Sequence, residues 1–213
     1  MAPKFIFIRH GEAQHNVAYH ESGVKVFEDE KYRDAALTDL GIQQAQKTAR
    51  NLPGLQVLDI WCSPLTRCIQ TASEVFEETN AQHIYLHDNL LERLGGRHLC
   101  NERKMKHELE KLYPFLQTAY LAEIPMYWVQ RENLSSLYFR MLMIVLLLAN
   151  RYESISEDFY IVIVSHKDAI FALTGRELEN AEALTLSLDE ILTRDKNLIE
   201  SNNQKKDNAP IIT

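Results

Sequence analysis

The chain has little cysteine, no excess of positive charge and no apolar run long enough for a leader or a membrane core. Its three cysteines, Cys62, Cys68 and Cys100, are an odd and sparse set in 213 residues. They argue against a disulfide framework and read as free thiols of a reducing compartment. No two of them form a Cys-x-x-Cys pair. His83 and His87 stand four apart but flank a strand and lack a third ligand at useful spacing, so no metal site is expected. The formal net charge of −7 argues against nucleic-acid or anionic-membrane partners, which need a basic surface. It leaves room for a local basic pocket holding a small anion. The first apolar stretch, residues 5–8, is too short for a signal-peptide core. The most apolar segment, residues 141–149, is too short to span a bilayer and is bracketed by Arg140 and Arg151. These absences predict a soluble cytoplasmic protein, with no oligomeric state visibly encoded.

What is present is ordinary globular composition, with 46% hydrophobic and 25% charged residues, enough for one sizeable core. Continuous apolar runs at residues 5–8, 57–61, 84–86 and 159–164 read as buried parallel strands. Residues 183–188 alternate like an edge strand. Helices are expected at residues 39–52, 65–78, 104–112, 134–152 and 169–174. Thr38 is the expected N-cap of the first, with Leu40, Ala45, Thr48, Ala49 and Leu52 as its inner face. Residues 15–34 read as a long polar loop and residues 90–101 as irregular. Strands alternating with helices predict an α/β three-layer sandwich, with a mainly parallel sheet covered on both faces. No repeat or linker divides it. Residues 1–195 are expected to form one domain, with residues 196–213 a mobile polar tail.

Two histidines follow strand ends, where open α/β sheets bind ligands. Arg9-His10-Gly11-Glu12 follows the first strand and Ser165-His166 follows the fourth. Transfer of a phosphoryl group to histidine needs a free ring nitrogen, donors for the phosphoryl oxygens and an acid for the leaving oxygen. His10 offers the nitrogen. Arg9, Arg67 and His166 offer donors, and the amide of Asn16 lies within reach of an oxyanion. Arg67 also stands near a helix start, which favours phosphate. Glu92 offers the acid, with Asp88 a nearby competitor. Gly11, lacking a Cβ, would let ligand approach the backbone.

The order of these pieces resembles the histidine phosphatase superfamily, the phosphoglycerate-mutase-like proteins. The matching stretches are Arg9-His10-Gly11-Glu12 with Asn16, Leu37-Thr38 through Gly41 and Gln44-Ala45, and Ser63-Pro64-Leu65-Thr66-Arg67 through Gln70-Thr71-Ala72. Glu92 with Arg93-Leu94-Gly95, Val164-Ser165-His166 and Asn180-Ala181-Glu182 complete them. His15-Asn16-Val17, with Arg93 to Cys100 and Arg103, looks most like a plant and fungal branch. The resemblance implies a metal-independent, cofactor-free phosphomonoesterase acting on a small phosphorylated substrate. His10 would be the nucleophile, Arg9, Arg67, His166 and Asn16 the phosphate ligands, and Glu92 the acid and then the base.

One position departs from that family. Two small residues usually follow the second histidine, but here they are Lys167 and Asp168. A carboxylate ~6 Å from a phosphate costs on the order of 3 kcal/mol at an effective dielectric of 20. The departure motivates a second reading, a weak or inactive relative that binds a phosphorylated ligand or a protein partner. A phosphoglycerate mutase ranks lower, because the basic cluster that holds a bisphosphate is not apparent. His15, His20, His98 and His107 read as surface or loop residues, and Tyr127 and Trp128 as core.

Overall fold

The structure, a computed structural model, describes residues 3–96, 98–125 and 131–193. The elements run β1 Lys4–Arg9, α1 Gln14–Ser22, α2 Asp39–Ala49, β2 Val57–Cys62, α3 Thr66–Glu77 and β3 Ile84–His87. They continue with α4 Lys106–Leu112, β4 Gln117–Tyr120, α5 Leu134–Arg151, β5 Tyr160–Ser165, α6 Lys167–Thr174, β6 Ala183–Ser187 and α7 Leu188–Leu192. The sheet order is β4-β3-β2-β5-β1-β6. Only β6 is antiparallel, on the edge beside β1. This is the sandwich expected from the alternating pattern.

Period-two alternation splits the apolar strands between two cores. Phe5, Phe7, Trp61, Ile161 and Ile163 face one layer, with the inner residues of α5 and α6. Ile6, Ile8, Ile60, Cys62, Val162 and Val164 face the other, with Cys68, Ile69, Ala72 and Val75 of α3. Burying each such side chain stabilises the fold by about 1.5–3 kcal/mol. Strands covered on both faces need apolar residues at every position, which explains the unbroken runs.

Several elements differ from the sequence reading. Residues 15–34 are not a loop: they form α1 and two 3₁₀ turns, Gly23–Glu28 and Glu30–Tyr32. Neither α1 nor these turns carries a wide apolar face, so periodicity gave no signal. The strand β4 alternates exposed and half-buried residues at the sheet edge and was likewise invisible. Thr38 caps α2 by accepting from the Gly41 N–H at 3.0 Å. Its inner face is Gly41, Ala45 and Ala49, however, and Leu40 is half exposed. The segment 141–149 is the middle of α5, an 18-residue helix long and apolar enough to cross a membrane by length and composition. Seven of its residues, including Leu137, Met141, Ile144 and Leu148, are buried in the first core. Tyr127, Trp128 and the tail 196–213 lie outside the described residues.

Candidate active site

The register of the central strands brings the two histidines together. Arg9 of β1 pairs with Ser165 of β5, so His10 and His166 leave the sheet side by side. Their ring centroids are 5.2 Å apart, at 64°. Arg67, on the first turn of α3, lies against both. Its Nε–H donates to His10 Nε2 at 3.2 Å and its Nη2 donates to His166 Nδ1 at 3.2 Å. The remaining donors reach the Cys100 carbonyl at 2.7 Å and Asn101 Oδ1 at 2.8 Å. The guanidinium is almost fully buried, and its fork geometry holds four groups at once.

These contacts assign both tautomers. A carbonyl only accepts, so His10 Nδ1 carries the proton and donates to the Gly11 carbonyl at 2.7 Å. His10 Nε2 then presents its lone pair. His166 Nδ1 accepts from Arg67, so its Nε2 carries the proton and donates to Ser63 Oγ at 2.7 Å. Burial first, and the Arg67 charge second, push the pKa of each ring well below the usual range. Both imidazoles are neutral at neutral pH.

The site opens into a cavity of about 330 Å³. Arg9, His10, Asn16, Arg67 and Glu92 line it. His166 does not: it is fully buried behind Arg67. Arg9 gives one Nη hydrogen bond to the Leu178 carbonyl at 2.9 Å, while its buried Nε–H has no partner. An unmet donor of a cation in this place suits an anionic ligand. Asn16 Oδ1 accepts from the Ala13 N–H at 3.0 Å, tying down the start of α1. Its Nδ2 therefore faces His15 Nε2, 3.2 Å away. His15 is thus not a surface residue. It is buried, and burial with the Arg67 charge lowers its pKa to about 2. Its Nδ1 has no hydrogen-bond partner.

Glu92 follows the 3₁₀ turn Asp88–Leu90 that ends β3. Its carboxylate accepts from the Arg93 N–H at 2.8 Å and, more weakly, from the Asp168 N–H at 3.4 Å. Burial first and the Asp168 charge second raise its pKa, favouring the acid form. Arg140 fixes this segment: it donates to the carbonyls of Asn89, Leu91 and Glu92 and pairs with Glu132 at 2.7 Å. Asp88, the competing carboxylate, is held in a two-toothed pair with Arg103 at 2.6 and 3.0 Å. It is a structural ion pair.

Other residues are needed that pattern reading did not single out. Asp34 holds the start of α3, accepting from the Thr66 N–H and hydroxyl at 2.7 Å each, with Lys104 at 2.6 Å. Thr71 Oγ1 accepts from the Gly11 N–H at 3.1 Å. Asn180 Nδ2 and the Ala181 N–H both donate to the His10 carbonyl. Ser63, Asn180 and Thr71 lie inside quoted motifs, but Asp34 lies in a stretch with no recognisable pattern. The reason given for Gly11 also changes. A Cβ there would sit 2.3 Å from the Gly41 carbonyl oxygen, so the residue is small for helix packing, not for ligand approach. Cys68 beside Arg67 is no activated thiol: burial pushes its pKa up to about 12.

The profile of the histidine phosphatase superfamily (branch 1) matches residues 5–190. A fungal protein described as a probable phosphatase, from Schizosaccharomyces pombe, is 31% identical over 88 residues, covering 41% of this chain and 28% of that protein. One described as a probable phosphoglycerate mutase, from Arthroderma benhamiae, is 32% identical over 127 residues, covering 50% of this chain and 38% of that protein. The matches thus span less than two fifths of either relative's length. Among solved structures, a Bombyx mori ecdysone phosphate phosphatase superposes with a TM-score of 0.61 at 16% identity, covering 86% of this chain and 88% of that one. A mycobacterial glucosyl-3-phosphoglycerate phosphatase superposes with a TM-score of 0.59 at 24% identity, covering 88% and 91%. At those identities the structures speak to the fold.

Proposed function

The chain belongs to the histidine phosphatase superfamily, and from that premise we propose that it is a metal-independent phosphomonoesterase working through a phosphohistidine on His10. The observation that carries the reading is the His10 Nε2 lone pair, held beside the Arg67 guanidinium at the inner end of the cavity.

The phosphate enters against Arg9 and Arg67, whose charges offset its own. Arg9, which lines the cavity and spends one Nη hydrogen bond on the Leu178 carbonyl, meets the phosphoryl oxygens there. His166 acts through Arg67, accepting from its Nη2 and holding the guanidinium in place beneath the phosphate. The Arg67 Nε–H hydrogen bond passes from His10 Nε2 to a phosphoryl oxygen, and the freed Nε2 lone pair attacks phosphorus; the N–P bond forms and the ester P–O bond breaks. The Glu92 proton passes to the departing alcohol oxygen. The Glu92 carboxylate then accepts a proton from water as its oxygen attacks phosphorus. The N–P bond breaks, inorganic phosphate leaves and the Glu92 acid is restored. The expected substrate is a small phosphomonoester.

Asp168 has a place in this scheme. Its charge favours the acid form of Glu92, and its carboxylate lies 3.7 Å from Arg131. Hydrolysis of p-nitrophenyl phosphate in the presence of a chelator tests the proposal. Turnover that survives chelation and disappears in His10→Ala supports it. Phosphate or vanadate binding with no turnover would favour the inactive-binder reading. Rapid transfer to a phosphoglycerate would favour a mutase.

A further inference from the structure

Beyond the phosphate end, the cavity changes character. One wall is made of rings. Phe27 stacks on Tyr19 with centroids 5.1 Å apart and planes within 9°. It also leans on His98 at 4.9 Å and 50°. These residues come from the 3₁₀ turn Gly23–Glu28, from α1 and from the residue before the 3₁₀ turn Leu99–Asn101. All three line the cavity. Neutral imidazole completes the wall, since burial and then the Arg131 charge lower the His98 pKa.

The cations across the cavity are matched by carboxylates. Arg131 lies 3.7 Å from Asp168, and Lys167 Nζ lies 3.0 Å from Glu177. A second phosphate or a carboxylate on the substrate would have to share these cations with the carboxylates already beside them. An uncharged planar ring meets no such repulsion from Asp168 and Glu177. Aromatic faces prefer such partners, by stacking or edge contact at 4.5–7 Å.

We propose that the alcohol half of the substrate carries a planar unsaturated ring, aryl or heteroaryl, which lies on the Phe27–His98 wall while its phosphate sits at His10. This rests on the phosphomonoesterase reading and adds the substrate class to it. Specificity then comes from ring contact at the mouth, and chemistry from the charged inner end.

The test compares benzyl phosphate with cyclohexylmethyl phosphate. Both release primary alcohols of similar acidity, so the difference reports the ring. The expected result is a kcat/KM higher for benzyl phosphate by roughly threefold to tenfold, the range of one aromatic contact. Phe27→Leu brings the ratio towards one and Phe27→Tyr keeps it. Tyr19→Leu, at a residue 41% exposed, supplies a second variant in case Phe27→Leu does not fold. A ratio of one or below in the wild type overturns the inference, as does a ratio unchanged in both leucine variants or a preference for 3-phosphoglycerate. These outcomes leave the phosphatase reading standing. If neither ester turns over, p-nitrophenyl phosphate decides the phosphatase reading by itself. Benzylphosphonate against cyclohexylmethylphosphonate, read as the rise in Tm, then decides the ring question. Equal rises refute it and a larger rise with the benzyl compound supports it.

Discussion

Arg67 and His10 share one hydrogen bond, from the arginine Nε–H to the histidine Nε2 across 3.2 Å. The Gly11 carbonyl, 2.7 Å from Nδ1, fixes the proton on the far side of the same ring. Together these two contacts fix the tautomer that leaves the lone pair on Nε2, where Arg67 holds it until phosphate takes the Arg67 donor. Arg67 also carries His166, the Cys100 carbonyl and Asn101. Replacing it therefore disturbs a constellation, and a lysine cannot reproduce the fork. Arg67→Lys is expected to lower kcat/KM for p-nitrophenyl phosphate by about 10²–10³, the loss typical of a preorganised oxyanion donor. Steady-state kinetics checks this, and a change under threefold would contradict it.

Glu92→Gln removes the transferable proton while keeping the shape. The expected loss is about 10²–10⁴ in kcat for alkyl phosphates. It is much smaller for p-nitrophenyl phosphate, whose leaving oxygen needs no proton. A plot of log kcat against leaving-group pKa should therefore be steeper in the variant than in the wild type. Parallel plots would remove Glu92 from the acid role.

Asp168→Asn tests how that acid is tuned. The groups acting on the Glu92 carboxyl are Asp168, which raises its pKa, and Arg67 with the Arg93 and Asp168 backbone N–H groups, which lower it. The acid form is lost as pH rises through the raised value. Removing the Asp168 charge lowers that value, so the basic limb of the kcat profile moves to lower pH. A limb that stays put, or moves upward, contradicts this account.

Stability should depend on pH with a definite sign. His10, His15 and His166 all have lowered pKa values in the fold, from burial first and Arg67 second. Below about pH 6.5 the unfolded chain binds protons that the folded chain does not, so stability falls as pH falls. For His15, whose value is about 2, the loss at pH 5.5 is about 1.2 kcal/mol relative to pH 7. His10 and His166 add losses of the same sign, while the raised Glu92 opposes them. Tm measured from pH 7.5 to 5 should decline, and phosphate should lessen the decline. A Tm that is flat or rises on acidification would contradict the neutral-imidazole assignment.

Gly41→Ala tests the packing beneath the site. A Cβ on Gly41 would lie 2.0 Å from the Glu12 carbonyl oxygen, in the same contact that holds Gly11. Backbone must move to relieve it, at a cost of about 1–3 kcal/mol or more. The urea midpoint should fall accordingly, and an unchanged midpoint would show the contact to be slack.

The parts of the fold legible in the sequence are those where one physical signal dominates. Strands β1 and β5 announce themselves as unbroken apolar runs because both faces are covered. His10, Arg67 and His166 were legible because each directly follows a strand end or a helix start in an ordered motif. His15, expected on the surface or in a loop, is buried in α1, whereas His98 does lie in a loop, at the cavity. Only α1 brings His15 to the cavity, and residues 15–34 carry no clear period. Asp34 was illegible for another reason. It acts from a positive φ of 46°, through contacts 32 and 70 residues away in sequence. His166 stands after its strand end as expected, but it is fully buried behind Arg67, a depth that no sequence pattern encodes.

The central claim is covalent, so the most direct measurement looks for the bond. The protein is mixed with ³²P-labelled phosphomonoester, quenched in alkali within milliseconds, digested and sequenced by mass spectrometry. The account predicts acid-labile, alkali-stable phosphate on His10, absent from His10→Ala and longer-lived in Glu92→Gln. Turnover with no phosphate on His10, or with label on another residue, would contradict it.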